Sequence, residues 1–272
     1  MKPERKDEKM TQEEAIKALR SNPALYVAYS RATNMPFVTC DEESFNDQAW
    51  VFAREEDLKE FGKKEAESKI LVAGMKYERK NFPQLYSILH SIGVNSVVYQ
   101  DGIGSIEVEL DDIARQQDMS KLPPEKRPLF NPTLQLSAAY FMQELRKNVP
   151  QEQKKNLREM EEEVLANLIR SEFILPVLPD AKDPKKLAMA AVKTKDGKTM
   201  QPLFSDVIEF NKFARGQKMG MVKVPFERIP QMSIKTAEGF VLNPMGYNLI
   251  LDNNNFQKLI ELKKKQQKTP EN

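Results

Sequence analysis

Residues 239–251 read GFVLNPMGYNLIL, two apolar runs joined by Asn243-Pro244-Met245-Gly246. This spacing fits a type I β-turn: Asn at the first position bonds nearby backbone, Pro presets φ at the second, and Gly takes the fourth. A hairpin follows, with Gly246 expected at the positive φ of a hairpin bulge. The competing reading is a ligand loop. A phosphate cradle, however, wants glycine-flanked amides that lead into a helix, and here a second apolar run follows. The first half of the chain has a counterpart, YQDGIGSI at 99–106, with Asp101-Gly102 as its turn signal.

Working outward from the two hairpins, the same order of elements appears twice. In the first half, TQEEAIKALRS is a helix opened by a Thr11/Glu14 capping box. Strands follow at ALYVAYS, MPFVTC and QAWVF, then the helix EEDLKEFGKK, the strand KILVAGM and the helix ERKNFPQLYSILHSIG, closed by Gly93. In the second half, EFILPVL is a strand, and AMAAVKT and TMQPLF make a hairpin across an Asp-Gly turn. The helix SDVIEFNKFARG starts with Asp206 and Glu209 spaced as a capping box and ends at Gly216. The strand GMVKVPF and the Pro-disturbed helix ERIPQMSIKTAEG lead back to the opening stretch.

The recurrence has a register. Phe52/Phe204, Leu58/Phe210 and Phe61/Phe213 are each 152 positions apart; Gly93/Gly239 are 146 apart; Ile106/Leu249 and Ile113/Phe256 are 143 apart. Falling offsets place small deletions in the loops of the second copy, where they are tolerated. The expected fold is therefore α+β: two tandem copies of a small mixed-sheet domain with helices packed on the sheet, at 12–115 and 160–262. A Pro-rich and helical connector, 116–159, joins them, with Asn131 and Pro132 as N-cap and first residue of its first helix. Two unrelated α+β halves with the same element order are the alternative. The first ten residues and the tail from Lys263 are expected to be frayed.

The second half also carries a specific pattern: a strand ending in Pro, a hairpin before Phe204-Ser205-Asp206, an amphipathic helix, Val224-Pro225, and Gly239 leading to Asn243-Pro244-x-Gly246. In this it resembles the SseB N-terminal domain family, named after the enhanced-serine-sensitivity protein, over roughly 160–262. The first half departs from the pattern. VFAREEDL lacks the Ser-Asp, LVAGM lacks the Val-Pro, and YQDG stands in place of Leu-Asn-Pro, so there the resemblance implies a diverged copy. It implies an α+β domain and no established active site.

Composition bounds the function. The 272 residues carry a net charge of +2, with 30% charged and 40% hydrophobic side chains, which argues against wholesale nucleic-acid binding. Cys40 is the sole cysteine and His90 the sole histidine, so a catalytic triad and a two-histidine metal site are excluded by count. A Cys40–His90 pair is conceivable, but Cys40 ends an apolar strand and His90 sits in a helix. The acidic runs Asp111-Asp112 and Glu161-Glu162-Glu163 read as solvated helix faces, because adjacent helical residues point apart. The Lys263–Lys265 run reads as a flexible basic end. No apolar run approaches a membrane span and no signal peptide opens the chain, so a cytoplasmic protein is expected.

The candidate binding or structural motif is Phe204, Ser205, Asp206, Asn243, Pro244 and Gly246, with no catalytic residue, metal or cofactor assigned. Ser205-Asp206 read as a helix cap. Two functions remain open. One is a non-enzymatic module or adaptor that binds a protein partner. The other is an enzyme or small-ligand protein whose carboxylate-rich site, with Ser205 and Asn243, lies between the two copies.

Overall fold

The computed structural model describes residues 10–116, 118–179 and 187–266, so the frayed ends expected at 1–9 and 267–272 lie outside the described residues. The chain divides into two compact units: residues 1–118 with 143–154, and residues 119–142 with 155–272.

The first unit opens with α1 (Gln12–Ser21), where the Thr11 hydroxyl takes the Glu14 N–H and the Glu14 carboxylate returns to the Thr11 N–H, as the capping box requires. Then come β1 (Ala24–Ser30), β2 (Met35–Pro36), β3 (Val38–Cys40), β4 (Asp47–Phe52) and α2 (Glu55–Glu67). They are followed by β5 (Val72–Glu78), α3 (Phe82–Ser91), β6 (Ser96–Gln100), β7 (Ser105–Glu109) and a one-turn α4 (Leu110–Ile113). The seven strands form one sheet. β1 pairs antiparallel with β2, β4 and β5; β3 with β4 and β6 with β7 are antiparallel; β4 and β6 are parallel. α2 packs over this sheet, closing a cluster of Ala28, Phe37, Phe52 and Leu58 with Trp50 and Phe61 at its margin.

α5 (Pro132–Leu145) follows, and the division between units falls inside it. The second unit continues with α6 (Leu157–Arg170), β8 (Glu172–Pro179), β9 (Leu187–Met189), β10 (Val192–Lys193), β11 (Thr199–Leu203) and α7 (Val207–Ala214). β12 (Gly220–Pro225), a 3-10 stretch at Phe226–Met232 that contains Pro230, β13 (Gly239–Leu242), β14 (Leu249–Asp252) and α8 (Asn253–Gln266) complete it. β8 pairs antiparallel with β9 and β12; β10 with β11 and β13 with β14 are antiparallel; β11 and β13 are parallel. The sheets β12-β8-β9 and β10-β11-β13-β14 meet at a single antiparallel bridge, Ile174 with Phe204. With the first unit's sheet, this gives a mixed α+β protein with three sheets among the described residues.

The strand pairs of the second unit follow those of the first in order and sense, except that the β1–β4 ladder is answered only by the Ile174–Phe204 bridge. The repeated aromatics take equivalent places too. Phe52 and Phe61 rings lie 5.3 Å apart under α2, and Phe204 and Phe213 rings lie 5.1 Å apart under α7. One pair in the proposed register does not correspond. Gly93 closes α3 at φ 87, whereas Gly239 is the first residue of β13. At Gly239 a Cβ would stand 2.4 Å from the Leu251 carbonyl oxygen, so close strand approach selects glycine there. Pairings with β4 and β11 instead match Ser96 to Gly239, the 143 offset seen at Ile106/Leu249.

Other differences are local. MPFVTC is broken at Phe37 into two strands, and KILVAGM starts its strand only at Val72, because Lys69 takes φ 62. Lys263 belongs to α8, a helix that the reading of a frayed tail missed; Phe256, Leu259 and Ile260 are its buried stripe.

Candidate functional site

The motif residues of the second unit converge at the junction of β11, α7 and the β13–β14 turn. Asp206 is the N-cap of α7: its Oδ1 accepts the N–H groups of Ile208 (2.8 Å) and Glu209 (2.9 Å). Its Oδ2 accepts the Ser205 hydroxyl (2.8 Å) and the Gln135 amide (2.5 Å). The capping box is incomplete, because Glu209 turns instead to Lys212. At the far end of α7 it is Arg215, at φ 44, that caps the helix, with Gly216 next.

The turn at 243–246 forms, with the Gly246 N–H on the Asn243 carbonyl at 2.9 Å. Its side chains act differently from the sequence reading. Asn243 does not bond its own backbone: its Oδ1 accepts the Ser205 N–H (3.0 Å), and its Nδ2 donates to Ser205 Oγ (2.8 Å) and Gln135 Oε1 (3.2 Å). The positive φ falls on Asn243 (49) and Asn248 (50), not on Gly246. Asn tolerates that region because its side chain is short and polar. Gly246 is needed for space: a Cβ would lie 2.8 Å from Glu209 Oε2.

Phe204, Ser205, Asp206 and Asn243 are all at 0% exposure, and Gly246 is buried; Pro244 is half-buried at the turn. Phe204 meets Phe210 edge-on at 5.7 Å. Ser205 Oγ donates to Asp206 and accepts from Asn243 Nδ2, with no surface of the residue exposed. Three residues join the group that the sequence did not single out for it. Gln135 bridges Asp206 and Asn243. Asn131, expected as a helix cap, spends its amide on the carbonyls of Glu172 and Ser205. Tyr247 is fully buried, and its hydroxyl and Glu209 Oε2 lack a hydrogen-bond partner. Burial raises the pKa of Glu209, which Lys212 opposes; burial, then the nearby Glu209 and Asp206 carboxylates, raise that of Tyr247 well above its ordinary value. Buried Gln135 flanks the apolar stripe of α5, and that placement was its only signal in the sequence.

The remaining chemical candidates separate. Cys40 is exposed, its thiol pKa pushed up by burial and neighbouring carboxylates, while His90 Nε2 is bonded to the Ala114 carbonyl at 2.7 Å. Among the described residues no group of three His, Cys, Asp or Glu side chains could hold a metal ion, and no helix is long and apolar enough to cross a membrane.

What the second unit presents outward is a trough of about 310 Å³. Val164 and Leu165 of α6, Leu259 of α8 and Leu249, Ile250 and Leu251 of β14 line it, with Glu161 and Lys258 on its walls. Successive side chains of a strand point to opposite faces. A cavity that touches three in a row therefore wraps the strand's edge. β14 is the last strand of its sheet. The Asn253 N–H bonds Glu238, and Leu251 faces Phe240, so by alternation the Ile250 N–H and C=O point to the open side. Ile250 is 53% exposed.

Residues 151–255 match the family model of the SseB protein N-terminal domain; the match lies on the half whose motifs carry the resemblance. None of the curated proteins matches the chain. Among solved structures, Tic22 from Plasmodium falciparum is similar at 10% identity over 93% of this chain and 98% of that one, with a TM-score of 0.22. Anabaena Tic22 (protein transport) is similar at 10% identity over 82% and 86%, with a TM-score of 0.20. Likeness at this level fixes neither fold nor function.

Proposed function

We propose that the chain is a non-enzymatic protein-binding module made of two tandem copies of one small α+β domain, and that the second copy takes an extended partner segment along β14. The observation that carries this reading is the trough around the β14 edge. An incoming strand there gains main-chain hydrogen bonds from Ile250, while its alternate side chains enter an apolar space. The shared strand-pairing scheme supports the duplication. The sealing of Ser205, Asp206 and Asn243 supports a scaffold role for the motif over a catalytic one.

A photo-crosslinking side chain at position 250, in the native cells, should trap a discrete protein. The same side chain at exposed Lys80 should not. Leu165→Asp should weaken capture more than about tenfold, since truncating a central apolar anchor costs over 1 kcal/mol. Equal capture from both positions would reject the β14 surface. A turnover abolished by Ser205→Ala with the fold intact would reject the non-enzymatic reading.

A further inference from the structure

In the first unit β5 is an end strand of its sheet, paired with β1 alone. The Arg31 N–H donates to the Leu71 carbonyl and the Arg79 N–H to the Pro23 carbonyl, so the odd-numbered residues of β5 turn their main-chain groups to β1. The N–H and C=O groups of Val72, Gly74, Lys76 and Glu78 therefore point away from the sheet, and among the described residues nothing bonds to them. The strand is open to water. Gly74, Met75, Lys76 and Glu78 are exposed, Met75 at 45%, and Leu71 just before the strand is exposed at 62%.

The corresponding strand of the second unit, β12, is guarded. There the Phe226 N–H meets the Ser171 carbonyl, so Met221, Lys223 and Pro225 turn their main-chain groups outward. Pro225 has no N–H to offer, and the Lys223 ammonium ties the chain at the Arg127 carbonyl to the strand. Proline and lysine are common means of keeping a sheet edge from pairing. β5 contains no proline. Its one lysine is folded back, with Lys76 Nζ 6.0 Å from the ring centre of Tyr26 on β1. An edge left open in one copy and blocked in the other calls for an occupant.

We infer that β5 pairs with β5 of a second copy of this chain, antiparallel about a two-fold axis at Met75. The charge pattern of the strand selects this occupant and this register. With the axis at Met75 the outward residues match along the whole strand: Val72 opposes Glu78 and Gly74 opposes Lys76, on both sides of the axis, and each match exchanges a pair of main-chain hydrogen bonds. Each charged side chain then stands opposite an uncharged residue. Lys76 lies over Gly74, which is bare because a Cβ there would stand 2.7 Å from Leu58 Cδ2. An axis at Lys76 would oppose like charges directly, which is destabilising. An axis at Tyr77 would match Lys76 to Glu78 but carry Val72 and Gly74 past the end of the facing strand. On the other face Ala73 meets Tyr77, and Met75 meets its twin at a non-hydrogen-bonded position, where side chains approach most closely. Methionine is flexible and polarizable, and suits such a self-contact. The symmetric pairing closes on itself, so it gives a dimer and not a fibre. The partner proposed for β14 plays no part in this inference.

Sedimentation velocity of the full chain, over about a hundredfold range of concentration, should show a reversible monomer–dimer equilibrium. Met75→Lys sets like charges on the axis at an exposed position. Lys76→Pro removes an outward N–H and leaves the β1 ladder intact. Each should raise the dimer dissociation constant more than about tenfold. Met221→Lys, the same change on the guarded edge, should leave it unchanged. Met75→Lys remains informative if Lys76→Pro fails to fold. In a Cys40→Ser background, Met75→Cys should form a disulfide with its twin under mild oxidation, because the Cα atoms on the axis stand about 4.5 Å apart. Met221→Cys should not. A chain that stays monomeric throughout, a dimer unmoved by Met75→Lys, or equal disulfide formation from positions 75 and 221 would overturn the inference.

Discussion

The two units solve one problem in two ways. In each, a phenylalanine at the end of a strand of the parallel pair (Phe52) or one residue past it (Phe204) leads into a helix, and the next N–H needs an acceptor. In the first unit the Ala53 N–H takes the main-chain carbonyl of Gln100 at 2.8 Å. In the second, the Ser205 N–H takes the side-chain oxygen of Asn243, which occupies the place of Gln100. The left-handed backbone at Asn243 turns its own carbonyl into the β-turn, where Gly246 and Asn248 donate to it. The helix starts differ accordingly. Arg54, without a capping bond, holds Asp57 in an ion pair at 2.6 Å, whereas Asp206 caps α7 and anchors a buried network. A main-chain acceptor tolerates many side chains; a side-chain acceptor fixes one. That difference accounts for the distinctive motif of the second unit and the plain sequence of the first.

The largest effect should therefore come from the amide. Asn243→Ala removes three hydrogen bonds, leaves the Ser205 N–H and Gln135 Oε1 buried without partners, and puts alanine at positive φ. It should cost more than about 3 kcal/mol in chemical denaturation. Gln100→Ala, which keeps the main-chain acceptor, should cost less than about 1 kcal/mol. Similar costs at the two positions would break the comparison.

Next comes the turn glycine. Gly246→Ala should cost about 1–3 kcal/mol, because the new methyl group meets the buried Glu209 carboxylate in a packed site. If close approach is the cause, Gly246→Ala and Glu209→Ala should be non-additive by about 1 kcal/mol, the double variant being less damaged than the two single costs imply. Additive costs would return the explanation to backbone conformation.

Much of this was legible in the sequence for local reasons. Thr11/Glu14, Asp101-Gly102 and Asn243-Pro244-x-Gly246 each state a cap or turn within a few residues, and the Phe52/Leu58/Phe61 spacing recurs intact at Phe204/Phe210/Phe213. Non-local facts were not. Gln135 reaches Asp206 across 71 positions, so nothing in its neighbourhood announced its role. Gly93 and Gly239 share a residue type but not a cause, positive φ in one and strand crowding in the other, and pattern alone paired them. The trough was hidden because Val164, Leu165, Leu249 and Leu259 read as ordinary core positions on their own elements. In the first unit α1 packs against β7, the strand that corresponds to β14, and Arg20 of α1 bonds the Ile113 carbonyl at 2.9 Å. Which edge stays open depends on such contacts, and no single element encodes them.

The smallest effect concerns charge. Glu209 stands where the first unit has Asp57, but it is buried beside Asp206 and Tyr247, with Lys212 as its one cationic partner. Burial raises its folded-state pKa above the ordinary 4.5. A carboxyl so shifted binds its proton more tightly in the folded chain. Its contribution to stability is full below the unfolded pKa and is lost as pH rises through the folded value. Wild-type stability should thus carry a declining component above about pH 4.5, and Glu209→Gln should remove it. The variant keeps the shape, supplies an amide donor near the unpaired Tyr247 hydroxyl, and gives up the Lys212 ion pair, which is partly exposed and so contributes little. Measured from about pH 4 upward, the stability difference between the Glu209→Gln variant and the wild-type chain should move in favour of the variant as pH rises. A difference that moves the other way would show that Lys212 outweighs burial, and that the second unit holds its acidic residue as the first holds Asp57, by an ion pair.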